Sequence, residues 1–90
     1  MRSLINNSKE CYICGSTYNI EKHHMVFGSA NRKKADEDGL WCNLCHSCHQ
    51  AVHNQDIWEK KALQELAQEK YEEKIGTREQ FIKRYGKSYL

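Results

Sequence analysis

The chain has 90 residues, with 14 Lys and Arg against 12 Asp and Glu and a formal charge of +2. That length excludes more than one domain and a large core, so a staple such as a bound metal is expected, and the near-balance of charge excludes a uniformly basic nucleic-acid coat. No apolar run is long enough to cross a bilayer and the N-terminal stretch has no signal-peptide core, which predicts an intracellular, cytoplasmic protein with no membrane partner.

Residues 1–10 are polar and carry only Leu4 and Ile5 as apolar anchors, so they are expected as a flexible arm. All five cysteines and all five histidines then fall between Cys11 and His53. Cys11-Tyr-Ile-Cys14-Gly15 has the form of a zinc knuckle, two thiolates aimed at one ion with a glycine to permit the turn. Cys45-His-Ser-Cys48 repeats the spacing further on. In a reducing compartment two such pairs supply four soft ligands for a closed, tetrahedral structural zinc. A thioredoxin-like redox role is the competing idea, but no βαβ pattern surrounds either pair. Cys42 is left over, as a small buried hydrophobe or as a substitute ligand.

Between the pairs, residues 18–27 alternate well enough to be a strand carrying His23 and His24. The polar run 28–39, bounded by Gly28 and Gly39, predicts a loop that has room for a turn of helix. Leu40 to Leu44 is an apolar return strand. A helix is expected from about Cys48, which puts His49 and His53 on one face. His46, inside the second knuckle, is expected to face solvent without a role in the chemistry.

Downstream, Ile57, Trp58, Ala62, Leu63, Leu66, Ala67, Tyr71 and Ile75 recur at three- and four-residue steps, as an amphipathic helix requires. Gly76 ends it. Thr77-Arg-Glu-Gln80 has capping-box form, and Phe81, Ile82 and Tyr85 make a second short helix that Gly86 stops. Apolar stripes of this kind are normally core, so this half is expected to clamp the metal centre rather than to present a partner-binding face. The class is α+β, divided into the arm 1–10, a zinc-stapled core 11–56 and a helical extension 57–90.

With four cysteines on one zinc, His23, His24, His49 and His53 are unspent. The strand and the helix that carry them start from opposite ends of the same zinc site, which brings them side by side. A second structural zinc or a surface cluster is the plain alternative, and Cys11, Cys14, Cys45 and His49 form another ligand set if Cys48 packs inward.

The order Cys-x-x-Cys, His23-His24 at a strand end, then Leu44-Cys45-x-x-Cys48-His49-x-x-x-His53 resembles the HNH (ββα-metal) endonucleases. The tail 70–90 is similar to those of small HNH proteins encoded by phages and prophages. The resemblance implies a small zinc-stapled ββα-metal core with C-terminal helices that hydrolyses DNA phosphodiester bonds. It implies His24 as the general base. It implies His23, His49 and His53 as ligands of a catalytic divalent ion (Mg²⁺, Mn²⁺, Ni²⁺ or Zn²⁺), with His53 otherwise a phosphate contact. A neutral histidine deprotonates water and a cation stabilises the developing dianion, which is the chemistry these residue types serve.

The family Asn lies nine residues before the final motif His, where this chain has Leu40; Asn43 or Asn31 can substitute, and Asn43 is preferred. Arg32, Lys33 and Lys34 are the candidate DNA contacts, with Lys60-Lys61 and Lys83-Arg84 as further ones. One active centre per chain predicts nicking by a monomer, with double-strand cuts left to a homodimer or to two events. The phage likeness implies the cytoplasm of an infected or prophage-carrying bacterium and packaging (terminase) or recombination proteins as partners. A non-catalytic zinc module that binds nucleic acid or a phage protein is the alternative of a different class, and Leu40 favours it.

Overall fold

Six elements follow one another in the computed structural model: β1 (Ile20–His24), α1 (Ser29–Asp38), β2 (Trp41–Cys45), α2 (His46–Asn54), α3 (Trp58–Lys74) and α4 (Arg78–Tyr85). It describes residues 2–54 and 57–90, so the core boundary expected at residue 56 falls outside the described residues. The two strands pair antiparallel, from Ile20 opposite Cys45 to His24 opposite Trp41. The protein is thus a small α+β fold in which α2 leaves β2 directly and packs against both strands. Among the described residues no helix is long and apolar enough to cross a membrane.

The register sorts the site residues by face. Directly opposed residues of an antiparallel pair share a face and neighbours along a strand alternate. Glu21, His23, Cys42 and Leu44 therefore lie on one side, and His23, Cys42 and Leu44 are fully buried there. Lys22, His24, Trp41 and Asn43 lie on the other, half-exposed side. Buried Met25, Val26, Leu40 and Val52 join them to a core that continues through Leu63 and Ala67 of α3 to Phe81 of α4.

Residues 28–39, expected as a loop, are mostly helix. Only Ala35 of α1 is buried, so no apolar period marks the segment. Its stability comes from polar anchors outside it. The Asp38 carboxylate accepts from Arg84 Nε and from the Tyr85 hydroxyl, both at 2.6 Å, and Lys34 Nζ donates to the Arg84 carbonyl at 2.9 Å. Gly39 closes the helix in the left-handed region at φ 72°, and a Cβ there would stand 2.5 Å from the Arg2 carbonyl oxygen. Only glycine meets both demands.

That close approach belongs to a second correction. Of residues 1–10, expected as a flexible arm, those that the structure describes, 2–10, lie along the free edge of β2. Leu4 N–H donates to Gly39 O at 2.8 Å, the Ser3 hydroxyl donates to the Trp41 carbonyl, and Asn43 N–H donates to Asn6 Oδ1 at 2.9 Å. A two-stranded sheet leaves one side of each strand unpaired, and the arm satisfies that of β2.

In the C-terminal half the Thr77 and Gln80 capping box forms, and Gly86 ends α4 in the left-handed region. Tyr71, Phe81, Tyr85 and Tyr89 pack edge-on or tilted, with centroids 4.7 to 6.2 Å apart. Trp58 and Ile75, expected in the buried stripe, are 76% and 45% exposed, because they sit at the two ends of α3 where none of the described elements covers them.

Candidate metal centres and groove

The cysteine cluster is built by two turns. Cys11 and Cys14 flank a turn in which Cys14 N–H donates to Cys11 Sγ at 3.4 Å and Gly15, at φ 78°, donates to Cys11 O at 2.9 Å. Tyr12 N–H donates to Asn43 O at 2.8 Å and so docks this turn on β2. Cys45 ends β2 and Cys48 lies in the first turn of α2. The four sulfurs lie within 4.8 Å of one another, and Cys14 Sγ is 3.7 Å from Cys45 Sγ. Tetrahedral thiolate ligands with Zn–S near 2.3 Å are about 3.8 Å apart, so the set fits a zinc ion. Burial pushes the Cys11 thiol up, but the backbone amides of Cys14, Cys45 and Ile13 outweigh it and bring it down to about 6, toward the thiolate a metal needs. Cys42 stands outside the cluster, pushed up to about 12 by burial, as a buried hydrophobe would be.

His23, His49 and His53 form a second group whose ligand atoms also lie within 4.8 Å of one another. His23 is 1% exposed, and its Nδ1 is a buried polar atom with no hydrogen-bond partner. Burial first, then the neighbouring His49 and His53, push its pKa down to about 3, which keeps the imidazole neutral. His49 Nδ1 lies 2.7 Å from Glu21 Oε1, leaving Nε2 free, and that Nε2 lies 3.1 Å from His53 Nε2. Two ring nitrogens facing each other beside an orphaned third are what a shared cation would reconcile. His49 thus sits with the histidines, and Cys48 sits with the cysteines; the alternative set that exchanged them is not the one brought together.

Glu21 and Phe27 escaped the sequence. Glu21 accepts from both His49 and His46, and those hydrogen bonds, His49's first, hold its carboxyl below the usual range. A signal was present, since Glu21 is two residues before His23 and shares its strand face. Phe27 stacks on His53 at 5.2 Å and 15° and meets His23 edge-on at 5.8 Å.

His24, on the other sheet face, is apart from the triad but shares a groove of about 520 Å³ with His49, His53, Lys22, Phe27 and Arg32. Its Nε2 is 3.5 Å from Asp36 Oδ1. Burial, with the Lys22 and Arg32 charges, lowers its pKa, and Asp36 opposes them. Near neutral pH the ring is uncharged.

Two expected site residues point elsewhere. Asn43 shares the His24 face of the sheet, but its Nδ2 donates to Ser8 O at 2.7 Å and its backbone ties the arm and the first knuckle to β2. Asn31 instead braces the turn beside the groove, donating to Phe27 O at 2.9 Å and to Tyr85 O at 3.3 Å. Lys34 is spent on α4. Arg32 lines the histidine groove, and it lines an adjoining hollow together with Lys33 and Asp36.

Compared with known families, curated proteins and solved structures, the chain finds no match in any of the three.

Proposed function

We propose that the protein is a metal-dependent endonuclease of the HNH type that nicks DNA, with zinc on the four cysteines as a structural ion and a divalent ion on His23, His49 and His53. The observation that carries this is the three-histidine group opening on the same groove as a neutral fourth histidine, His24, and the guanidinium of Arg32, which pairs with no carboxylate among the described residues. A purely structural module has no use for that combination.

His23, His49 and His53 would hold a divalent ion, which would supply positive charge to the developing dianion and the leaving oxygen. The remaining work falls to side chains. With Asp36 beside Nε2, His24 carries its proton there and presents Nδ1 to the attacking water, taking one proton as the P–O bond forms. Arg32 pairs with a phosphate oxygen and holds the strand in place. Glu21 fixes the ring of His49, as a carboxylate behind a metal-ligating histidine does. Asn31 takes over the bracing that the family assigns to its Asn.

The likeness of residues 70–90 to phage and prophage HNH tails supports a setting in the cytoplasm of the host bacterium, alongside DNA packaging or recombination proteins. A non-catalytic zinc module that binds nucleic acid or a phage protein draws support from Leu40, which fills the family's Asn position and is fully buried in the core.

A supercoiled-plasmid assay separates the two. Nicking with Mg²⁺, Mn²⁺, Ni²⁺ or Zn²⁺ that stops on chelation and in His24→Ala is the expected result. Folded, zinc-loaded protein that cuts with none of these ions would transfer the assignment to the binding module.

A further inference from the structure

Among the described residues, five of the 14 basic side chains are paired with carboxylates. Lys22 pairs with Asp36, Arg78 with Glu72, Arg84 with Glu37 and Asp38, and Lys70 and Lys74 with Glu73. Lys60, Lys61 and Lys87 pair with no carboxylate among the described residues. Together with Ile57, Gln64 and Tyr89 they line a groove of about 500 Å³ between the start of α3 and the C-terminal tail, and no acidic side chain is among its described lining.

Three lysines lining one groove with no counter-charge among the described residues repel one another, an arrangement that favours an anionic occupant. The groove is also built. Buried Gln68 accepts from Tyr89 N–H at 2.6 Å and its Nε2 donates to Ser88 Oγ at 3.0 Å, fixing the tail against α3. Lys87 Nζ lies 5.1 Å from the Tyr89 ring centroid, so the tail presents a cation over an aromatic face.

The position of the groove identifies the anion. Lys60 Nζ lies 5.4 Å from the centroid of Phe27, and Phe27 stacks on His53. Phe27 lines the histidine groove and Lys60 lines this one, so the two meet across a single contact. A free phosphate would need only one of them. A polyanion lying in the first runs on into the second.

We infer that the Lys60, Lys61 and Lys87 groove holds the phosphate backbone of the DNA strand that leaves the histidine groove. This rests on the nuclease assignment above. Lysines act as point charges on phosphates and read no bases, so the surface adds affinity and register without sequence preference.

The test uses the full zinc-loaded chain and the double variant Lys61→Gln/Lys87→Gln, which spares Lys60 and its contact with Phe27. Two readouts are taken. One is binding of a fluorescein-labelled 20-base-pair duplex at several salt concentrations, and the other is metal-dependent hydrolysis of bis(p-nitrophenyl) phosphate, too small to reach the lysines. The expected result is weaker binding of every duplex sequence, a log–log salt slope reduced by about 2, about 1 for each lysine, and unchanged small-substrate turnover. Lys61→Arg/Lys87→Arg should restore binding, and zinc content with a melting curve shows that each variant is folded. Duplex affinity and slope equal to wild type, with the wild type still nicking DNA, would overturn the groove and leave the nuclease standing. Loss of small-substrate turnover in the double variant would also overturn it, since the lysines would then act on the centre itself. Lysine-dependent binding of poly-glutamate without binding of DNA would assign the face to an acidic protein instead. Lysine-dependent DNA binding with no hydrolysis of either substrate would remove the nuclease and keep the groove.

Discussion

The cysteine cluster and the histidine cluster lie at opposite ends of one short sheet and differ in how many ligands each offers and in what surrounds them. The cysteine cluster offers four soft ligands to one point and is closed; it draws on the N-terminal turn, the end of β2 and the start of α2. The histidine cluster offers three candidate ligands, is buried on the His23 side, and on the other side opens to a groove that also holds His24 and Arg32. A saturated tetrahedron holds a chain together, whereas three ligands with room beside them leave an ion able to take substrate. The difference also teaches how α2 is used. Cys48 and His49 are adjacent in sequence but belong to different clusters, so an ion on the cysteines would orient the helix that carries two of the three clustered histidines.

If the cysteine cluster is scaffolding, its loss should be the most damaging change in the molecule. Cys45→Ser removes a ligand shared between β2 and α2, and because metal binding and folding are coupled in so small a core, no cooperative melting transition should remain. The wild type should retain close to one zinc per chain through extensive dialysis. A Cys45→Ser melting temperature equal to that of the wild type would erase the distinction between the clusters. The opposite pattern is expected of His24→Ala, which should leave zinc content and melting temperature unchanged and slow nicking by about 10²- to 10⁴-fold, the usual contribution of a positioned general base. Cleavage at the normal rate would show that another group takes the proton.

How much of this was legible beforehand follows the nature of each signal. The cysteine pairs announce themselves by spacing, and the His49 and His53 repeat by helical period, because in both the interacting atoms are set by a few residues of local chain. Thr77 to Gln80 and Gly86 were readable for the same reason. The α1 helix was not, since its anchors Arg84 and Tyr85 lie some 46 residues away and leave no apolar pattern behind. Nor was the docking of the arm, whose partners are mostly backbone groups of Gly39 and β2 that leave no pattern of side chains behind. Asn43 was misplaced because a count along the chain gives a residue's distance from His49 but not which neighbour claims its amide; the arm claimed it. The open groove was beyond reach altogether, being a property of the space between β1, α1 and α2.

The support behind the histidines gives a sharper test of the comparison than the ligands themselves. Glu21→Gln keeps the size of the side chain but removes the charge that holds His49 Nδ1, so affinity for the exchangeable divalent ion should fall about 10- to 100-fold while the cysteine-bound zinc stays in place. Titration with Mn²⁺ or Ni²⁺ measures the first and elemental analysis the second. If both ions were lost together, the clusters would be one cooperative unit and the division between scaffold and reactive centre would fail.

The smallest effect should come from the other arm of the same carboxylate. His46 lies 2.8 Å from Glu21 Oε2, almost the distance of His49 from Oε1, yet the His46 side chain is 56% exposed and that of His49 is 22% exposed. Water competes for the first contact and much less for the second, and exposed ion pairs contribute little. His46→Ala should therefore change divalent-ion affinity by no more than a few-fold, in the same direction as Glu21→Gln and well short of it. A loss as large as that of Glu21→Gln would mean that Glu21 is held in position by His46, and that the histidine in the middle of the zinc knuckle physically links the closed cluster to the open one.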